Sequence, residues 1–445
     1  MKPIPLSLLA RRLGIFHRSG AWVHGAAIDS RLVQEKDLFF ALPGERVSGV
    51  AFLEEAARKG ASGAVVSSNH RGTSFGLPLL RVPDVLEALQ DSARKSLEGN
   101  CAKIVAVTGS LGKTTVKHFA KALLETHFKV FASPSSYNSQ ATVPLSILNT
   151  SGEEEILILE MGMDAPGHIQ KLLSIAPPTI ALLTTISPQH VNHFPNGLEG
   201  IAEEKGSIFS HPGTSLGLLS RDIPFYDFVK KRGRCGIKTF SLLSKEADFF
   251  LEKTEGGLLL HMPDGGRLSL TSQLPNPVHY HNLLAALALA FCLDVPWRKI
   301  VEVVPRLTLP PMRFERVERE GICFINDAYN ANPESMEGAL RSLPSPEKQG
   351  RKVAILGDMN ALGIYSKEGH QKVLEVASAT TDLLLCIGER WKESEFPQDS
   401  YQHFATKEAL ASSLRDLLLP GDVVLLKGAR VHALETLIDQ MEEAS

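Results

Sequence analysis

The sequence predicts an α/β protein of three domains, in which mainly parallel sheets carry helices on their faces. At 445 residues, the chain is longer than a single hydrophobic core usually supports. Apolar runs typical of buried strands alternate with stretches of helical periodicity, a pattern that favours parallel sheets with crossover helices. A proline-rich segment at residues 305–312 separates two such alternating sets. We therefore predict domains over residues 1–99, 100–309 and 310–445.

Composition and charge exclude several classes of protein. The hydrophobic content of 43% and the charged content of 22% are ordinary for a globular protein, and the net charge of -3 offers no basic face for nucleic acid. The longest apolar run, residues 283–293, is too short to span a bilayer. The five cysteines show no metal-ligand spacing and fit reduced thiols. We expect a soluble, cytoplasmic monomer that neither binds nucleic acid nor inserts into a membrane.

The first hundred residues predict a small α/β domain. An amphipathic helix pattern begins the chain, and Gly60 is placed to end a later helix. The predicted helices cover residues 1–16, 52–59 and 83–96, the predicted strands 37–42, 63–67 and 77–82, and a predicted turn 43–46. The predicted N-terminal domain ends just before the first strand of the central domain.

The central domain begins with a strand that leads into a glycine-containing turn and a helix. The apolar residues 104–107 precede the segment Thr108-Gly109-Ser110-Leu111-Gly112-Lys113-Thr114-Thr115. Two glycines allow a turn whose N–H groups surround one anion, and a helix beginning at Thr114 or Thr115 adds its positive end. Lys113 supplies a cation, and Thr114 a hydroxyl for phosphate-bound magnesium. An ordinary turn is the alternative, but the apolar residues that follow at helical spacing favour a nucleotide triphosphate site.

Two further strands of this domain end in residues that suit a metal site. Glu160 follows the apolar residues 156–159, at the sheet edge where a magnesium ligand is expected. The alternative is a solvated acid at a strand end. His190 and His193 follow a strand predicted over residues 180–184. Two histidines so close together suggest a role in the site, with a structural role as the alternative, and zinc is disfavoured because no third ligand has suitable spacing.

The remainder of the central domain carries fewer chemical signals. We predict a strand at residues 216–219, hairpin-like strands within 240–274 and a buried helix over 281–293. Lys205 lies in Glu203-Glu204-Lys205-Gly206, and spacing alone makes it a surface lysine balanced by two acids.

The C-terminal segment predicts a Rossmann-like unit. Strands are predicted over residues 322–327, 352–357, 382–388 and 422–428, each followed by a helical stretch, the last over 431–443. Arg313 could neutralise phosphate and Asp327 could accept from ribose hydroxyls. Lys427 and Arg430 flank an anion-ready turn that opens the last helix. Singly, each is better explained as a solvated loop charge, but together they outline a cleft facing the phosphate loop.

In these segments the chain resembles the Mur ligases, the ATP-dependent amide-forming enzymes of peptidoglycan precursor synthesis. The resemblance covers nearly the whole length. It is carried by residues 28–31 (IDSR), 37–44 (DLFFALPG), 108–115 (TGSLGKTT), 137–138 (YN), 160–162 (EMG), His190, 205–206 (KG), 327–336 (DAYNANPESM), 357–359 (GDM) and 427–430 (KGAR). It is most similar to the members that join D-alanyl-D-alanine to UDP-N-acetylmuramoyl-tripeptide through an acyl phosphate.

The resemblance implies a role for individual residues. ATP would be bound by Gly109, Ser110, Leu111, Gly112, Lys113, Thr114, Thr115, Asn138, His281, Asn282, Arg313 and Asp327. One magnesium ion would be held by Thr114 and Glu160, and a second by His190 and a carbamylated Lys205. Lys113, His190 and Lys205 would be catalytic. The UDP substrate, bound by the first domain, and the dipeptide would be contacted by Ser30, Asn330, Asn332, Lys427 and Arg430.

Three alternatives remain on the sequence alone. The nearest is a sister ligase that adds a single amino acid to UDP-muramoyl-dipeptide, but its usual Asp-Asn-Pro-Arg-like segment is absent and residues 329–333 read YNANP. A folate polyglutamate ligase is disfavoured by the first domain. A non-catalytic ATP-binding regulatory protein is disfavoured by the intact phosphate and metal residues. Departures from the family pattern at Thr142, Ala285 and Ala361 fall at supporting positions.

Overall fold

The fold contains three main sheets, one within each predicted domain. The structure is a computed structural model that describes residues 2–44, 46–347, 349–395 and 401–441. The sheets have four, nine and six strands, and an additional pair of short strands lies near the N-terminus. Parallel pairing dominates each sheet, so the predicted α/β class is confirmed. Within the described ranges, no helix combines the length and apolarity needed to cross a bilayer.

The N-terminal domain is built on a parallel four-stranded sheet in the order β3-β4-β5-β6. Its strands are β1 (Ile4–Pro5), β2 (Trp22–Val23), β3 (Gly25–Ala27), β4 (Asp37–Phe40), β5 (Gly63–Ser67) and β6 (Leu79–Val82), and its helices are α1 (Leu6–Arg12), α2 (Leu53–Arg58) and α3 (Val85–Leu97). The helix predicted over residues 1–16 is only seven residues long, because Pro5 precedes it in extended conformation and Gly14 follows at φ +75°. Residues 1 and 45 of the predicted helix and turn lie outside the described ranges.

The central domain has a nine-stranded sheet in the order β15-β14-β13-β12-β11-β10-β7-β9-β8. Its strands are β7 (Lys103–Thr108), β8 (Val130–Ala132), β9 (Ile156–Glu160), β10 (Ile180–Leu183), β11 (Leu216–Ser220), β12 (Gly236–Ser241), β13 (Phe249–Thr254), β14 (Gly257–His261) and β15 (Arg267–Leu270). Its helices are α4 (Lys113–Leu124), α5 (Thr142–Leu148), α6 (His168–Ile175), α7 (Gly197–Gly206), α8 (Tyr226–Arg232), α9 (Pro277–Cys292) and α10 (Trp297–Val303). In this order, the seven strands from β13 to β8, which include β7, pair in parallel. The predicted hairpin-like strands form the antiparallel edge β13-β14-β15. Strand β8 was not predicted, since it is only three residues long.

Helix α9 is buried on nearly all sides, as predicted, but begins four residues earlier than expected. Asn276 caps it by accepting a hydrogen bond from the His279 N–H at 3.2 Å, and Pro277 occupies the first turn, where its missing N–H costs nothing. All eight residues from 283 to 290 are fully buried. The early start places His281 and Asn282 inside the helix.

The C-terminal domain has a six-stranded sheet in the order β16-β17-β21-β18-β19-β20. Its strands are β16 (Glu315–Arg319), β17 (Ile322–Asn326), β18 (Lys352–Gly357), β19 (Leu383–Ile387), β20 (Tyr401–Phe404) and β21 (Val423–Lys427), and its helices are α11 (Pro333–Arg341), α12 (Ser366–Thr380), α13 (Lys407–Ala411), α14 (Leu414–Leu417) and α15 (Thr436–Asp439). Strands β16, which is antiparallel, and β20 were missed. Both are edge strands with half-exposed residues, so they lack the apolar run of a central strand.

The single helix predicted over residues 431–443 is wrong. A short 3₁₀ turn covers Arg430–His432, and Ala433 then adopts a left-handed conformation at φ +46° before α15 begins. The chain turns there because Leu434 and Leu437 are both buried in the core under the sheet. Residues 442 and 443 of the predicted helix lie outside the described ranges.

Both outer domains pack against the central domain through specific contacts. The Asn149 amide donates to the Ala26 carbonyl at 2.9 Å and accepts from the Ala26 N–H at 2.8 Å, which joins the N-terminal domain to the central one. On the other side, the Asn332 amide donates to Ser187 Oγ at 3.2 Å. Each sheet falls within one of the three predicted segments, while the exact domain boundaries stay a prediction.

Candidate active site

The phosphate loop leaves β7 and turns sharply through two glycines with positive φ. Gly109 has φ +149° and Gly112 has φ +82°. A Cβ placed on Gly109 would lie 1.9 Å from the Thr184 hydroxyl, and one on Gly112 would lie 2.1 Å from Asn282 Oδ1. Conformation and space therefore both require glycine at these two positions.

We expect Gly112→Ala to lower the apparent melting temperature of the protein much more than Gly167→Ala. Both glycines have similar positive φ, +82° and +86°, so both substitutions carry the same backbone strain of about 1–2 kcal/mol. Only Gly112 has a neighbour in the way, the buried Asn282, whereas a Cβ on Gly167 meets no atom within 4 Å. Thermal melts of the two variants measure the difference. Equal shifts would contradict close packing of Asn282 on the loop.

Two of the loop N–H groups do not face an anion, contrary to the prediction. The Ser110 N–H donates to the Thr185 carbonyl at 2.8 Å, and the Leu111 N–H donates to Thr185 Oγ1 at 2.7 Å. Helix α4 begins at Lys113, one residue earlier than predicted, and no side chain caps it. The free N–H groups of its first turn, rather than those of the loop, are the candidate anion donors.

A cavity of about 250 Å³ lies in front of this helix, between the central and C-terminal domains. It contains most of the residues that the sequence singled out: Ser110, Leu111, Gly112, Lys113, Thr114, Thr115, Asn138, Glu160, His190, Lys205, Arg313, Asn330 and Lys427. Eight more residues line it: Gly162, Tyr329, Ala331 and Ser335, which lie in the segments that carry the resemblance, and Ser136, Met163, Asp164 and Gln189, to which the sequence analysis gave no role. Gly109, Asp327, Asn332, His281, Asn282, Arg430 and Ser30 are not among the lining residues.

Glu160 is one of two acidic residues that line the cavity, the other being Asp164, and it is almost fully buried. Only 1% of it is exposed, so its interpretation as a solvated acid is wrong. Its Oε2 accepts from the Thr114 hydroxyl at 2.9 Å, and its Oε1 accepts from the Asn138 amide at 2.8 Å. Lys117, which the sequence reasoning missed, lies 3.3 Å from Oε2. The available signal was its position on the buried face of α4, four residues after Lys113.

The oxygen atoms of Thr114 and Glu160 suit a hard divalent cation. In the described residues, no three His, Cys, Asp or Glu side chains converge into an all-protein metal cage. Magnesium usually takes only one or two protein oxygens and completes its shell with phosphate and water. A hydroxyl and a carboxylate 2.9 Å apart at the mouth of a phosphate loop therefore fit magnesium.

Lys205 is buried, so its interpretation as a surface lysine is wrong. It lies near the end of α7 with 3% of its surface exposed, and its ammonium makes no hydrogen bond or ion pair with any residue that the structure describes. Burial, reinforced by the positive charge of Lys113, lowers the pKa of Lys205 well below its usual value. Such an environment favours the neutral amine over the ammonium.

His190 faces Lys205 from the loop after β10. Its Nδ1 lies 3.6 Å from Asp164 Oδ1, and its backbone has φ +57°. Burial lowers the pKa of His190, and Asp164 opposes that shift. His193 does not line the cavity; its ring instead contacts the Asp164 carbonyl. The two predicted histidines therefore occupy different positions, and only His190 borders the site.

Arg313 reaches the cavity from the C-terminal domain. Its guanidinium lies 4.2 Å from the centroid of the Tyr329 ring. Behind it, Lys427 is 2% exposed and pairs with Asp327 Oδ2 at 2.5 Å. The pair shows that Lys427 and Asp327 are not solvated loop charges. Lys427 ends β21 and is followed by a 3₁₀ turn, so no helix begins there to bind an anion.

His281 and Asn282, two of the predicted ATP contacts, lie behind the loop rather than in the cavity. His281 is packed against Phe240, and its Nε2 is 2.8 Å from Ser220 Oγ. Burial lowers the pKa of His281 to about 4, so the ring is neutral at physiological pH. Asn282 packs against Gly112, as described above.

Three predicted substrate residues have other partners in this structure. Ser30 donates a hydrogen bond to Glu55 at 2.5 Å within the N-terminal domain. Asn332 caps α11, and Arg430 pairs with Glu435 at 2.7 Å. Asn330 does border the cavity.

A helix end with free N–H groups, oxygen atoms that suit magnesium and an arginine from a second domain meet at one cavity. This arrangement fits an ATP-dependent ligase, the class to which the family comparison assigns the chain. Three family models match successive segments: "Mur ligase family, catalytic domain" residues 22–96, "Mur ligase middle domain" residues 107–290, and "Mur ligase, glutamate ligase domain" residues 312–430. The chain belongs to the Mur ligase family.

Individual relatives match along nearly the whole chain. The UDP-N-acetylmuramoyl-tripeptide–D-alanyl-D-alanine ligase of Treponema pallidum is 33% identical over 439 residues, covering 93% of this chain and 92% of that protein. The crystal structure of MurF from Acinetobacter baumannii has the same fold, with a TM-score of 0.85 at 24% identity over 100% of both chains. MurF ligase from Thermotoga maritima in complex with ADP has a TM-score of 0.76 at 28% identity, covering 95% of this chain and 97% of that one.

Proposed function

We propose that this chain joins D-alanyl-D-alanine to UDP-N-acetylmuramoyl-tripeptide at the expense of ATP. The observation that carries the proposal is the cavity itself, where Lys113, Glu160 and Lys205 of the central domain meet Arg313 of the C-terminal domain. The relative from Treponema pallidum is named for this reaction, and the Thermotoga maritima relative holds ADP. The expected monomer is kept as part of this proposal.

The ATP phosphates lie, in this proposal, against the first turn of α4. Lys113 Nζ now donates to the Gly109 carbonyl at 2.7 Å, so it is already folded over the loop and needs only a side-chain rotation to reach phosphate. Thr114 and Glu160 hold one magnesium ion, which neutralises phosphate charge when bound. Arg313 approaches the same phosphates from the opposite wall. Phosphoryl transfer depends mainly on such positioning and charge neutralisation, and no covalent nucleophile is required.

Lys205 and His190 form the proposed second magnesium site. A neutral lysine amine attacks carbon dioxide, so that an N–C bond forms and a proton leaves to solvent. The resulting carbamate converts a cation into an oxygen ligand. The lack of any described partner for Lys205 and its lowered pKa support this modification. His190 supplies the nitrogen ligand beside it.

The amide then forms in two steps. The terminal carboxylate of the tripeptide attacks the γ-phosphorus of ATP, giving an acyl phosphate and ADP. The amine of D-alanyl-D-alanine next attacks the acyl carbon, and inorganic phosphate leaves from the tetrahedral intermediate while the amine loses a proton. The position of the cavity between two domains supports exclusion of water, which would otherwise hydrolyse the acyl phosphate.

The three domains divide these tasks in the proposal. Residues 1–99, with Ser30, bind the UDP portion, residues 100–309 bind ATP, and residues 310–445 bind the dipeptide and complete the ATP site. Asn330 and Lys427 border the cavity and are the better placed of the proposed dipeptide contacts. Four other proposed contacts would have to exchange their present partners when substrates bind. They are Asn332 and Arg430 at the dipeptide, and His281 and Asn282 near adenine.

Phosphate release from ATP tests the proposal directly. With UDP-muramoyl-tripeptide present, we expect D-alanyl-D-alanine to stimulate release and single amino acids to leave it unchanged. Stimulation by a single amino acid on UDP-muramoyl-dipeptide would instead identify the sister ligase. Absence of release with every donor, from a protein that binds ATP, would favour a non-catalytic regulatory role.

A further inference from the structure

Lys117 is a buried lysine beneath the candidate metal site. It lies one helical turn after Lys113 on α4, and only 4% of it is exposed. Its ammonium lies 3.3 Å from Glu160 Oε2 and 3.3 Å from Ser133 Oγ, and it also donates to the Ser135 carbonyl. All three partners are oxygen atoms, so the hydrogen-bonding capacity of the ammonium is used in full. The side chain is therefore held in one position.

The carboxylate of Glu160 is fixed by this lysine and by two other contacts. The Asn138 amide donates a hydrogen bond to Oε1 at 2.8 Å. The Thr114 hydroxyl at 2.9 Å and the Lys117 ammonium at 3.3 Å both donate to Oε2. Oε2 is the atom that would bind a divalent cation together with the Thr114 hydroxyl. The ammonium of Lys117 therefore competes for the electron pairs of the proposed metal ligand.

The balance of charge around Glu160 is unfavourable for a bare divalent cation. The Glu160 carboxylate faces the ammonium of Lys117, and the positive charges of Lys113 and Arg313 act on the same group of residues. Asp164 opposes them in part through its interaction with Lys113. Charges this close interact strongly in a buried site, so Lys117 already neutralises much of the negative charge of Glu160. The polyphosphate of a nucleotide brings several negative charges and reverses this balance.

We propose that Lys117 is a positioning residue that makes divalent-metal binding at Thr114 and Glu160 depend on bound nucleotide. Its positive charge neutralises and orients the Glu160 carboxylate while the site is free of nucleotide. The carboxylate therefore does not bind a divalent cation until nucleotide is present. This inference rests on the proposed function, because it requires a metal–nucleotide complex at the cavity. Because the ammonium lies on the oxygen that would bind the metal, the metal affinity of the nucleotide-free protein reports directly on this role.

Titration of the nucleotide-free protein with Mn²⁺, followed by the loss of the free-ion paramagnetic resonance signal, tests the proposal. We expect the wild type to show no binding below the millimolar range. In Lys117→Met, and in Lys117→Gln, which keeps a hydrogen-bond donor near Glu160, we expect Mn²⁺ to bind about tenfold or more tightly, since one opposing charge is removed. Mn²⁺ alone should also raise the melting temperature of both variants, but not that of the wild type.

Lys121→Met is the matched control, since Lys121 lies on the same helix, one turn further on, and is exposed beside Glu125. It should behave as the wild type in both measurements. Micromolar Mn²⁺ binding by the nucleotide-free wild type would overturn the proposal even if neither Lys117 variant folds. Unchanged Mn²⁺ affinity in a folded Lys117 variant would overturn it as well. Neither measurement uses the amino donor, so failure here is distinct from failure of the proposed ligase reaction.

Discussion

Lys205→Ala is expected to reduce D-alanyl-D-alanine-dependent phosphate release by about a thousandfold or more, the scale of losing a group that stabilises transition-state charge. The buried position and lowered pKa of Lys205 are costly for an ordinary lysine and suit one that becomes a carbamate. Adding a short carboxylic acid such as acetate should restore part of the activity, because the cavity left by alanine accepts a free carboxylate in place of the carbamate.

Lys171→Ala provides the control, since Lys171 is exposed on the neighbouring helix α6, and its activity should equal that of the wild type. A carbamate carbon signal from ¹³C-bicarbonate should appear in the wild type and be lost in Lys205→Ala. Full activity in the plain alanine variant would contradict the metal-ligand role. An alanine variant that melts as the wild type does, yet gains nothing from acetate, would contradict the carbamate.

Lys113→Met should have an effect of similar size, about a thousandfold or more on kcat. Methionine preserves most of the side-chain volume but removes the charge that follows the γ-phosphate as it is transferred. The present contacts of the ammonium are two carbonyl oxygens of its own loop, Gly109 and Ser110, so the folded protein loses little when it is removed. We therefore expect a near-normal melting temperature with strongly reduced turnover.

Steady-state kinetics in ATP, together with equilibrium binding of ATP, separates the two contributions of Lys113. If kcat falls by a larger factor than the affinity for ATP, the charge of Lys113 acts mainly on the transition state. Lys121→Met again serves as the control for a lysine on the same helix. Normal kcat with only weakened ATP binding would contradict a catalytic role and leave Lys113 as a binding residue.

Local chemistry was predictable from the sequence because it depends on neighbouring residues. The strand, the two glycines, Lys113 and the following helix lie within a dozen positions, and the structure places them as expected apart from the start of α4. Glu160 was identified because it ends an apolar strand of the same parallel sheet. The packing of α9 against α4 within the central domain, in contrast, placed His281 and Asn282 behind the loop, which no local pattern indicates. The capping role of Asn332 did have a local signal, since Pro333 and Ser335 follow it at the first and third helical positions.

The sequence by itself therefore determined the α/β fold class, the glycine-containing turn before α4 and the position of Glu160 at the end of β9, since each depends on periodicity or on spacing along a single strand or helix. The ligase family followed from the resemblance of its motifs. Tertiary structure alone decided that Lys205 is buried and that Thr185 accepts hydrogen bonds from two N–H groups of the loop. It also paired Lys117 with Glu160, which lies 43 residues further along the chain. These outcomes depend on which segments pack together. Burial and electrostatic pairing are properties of that packing, and they decide which charges in this cavity are free to act.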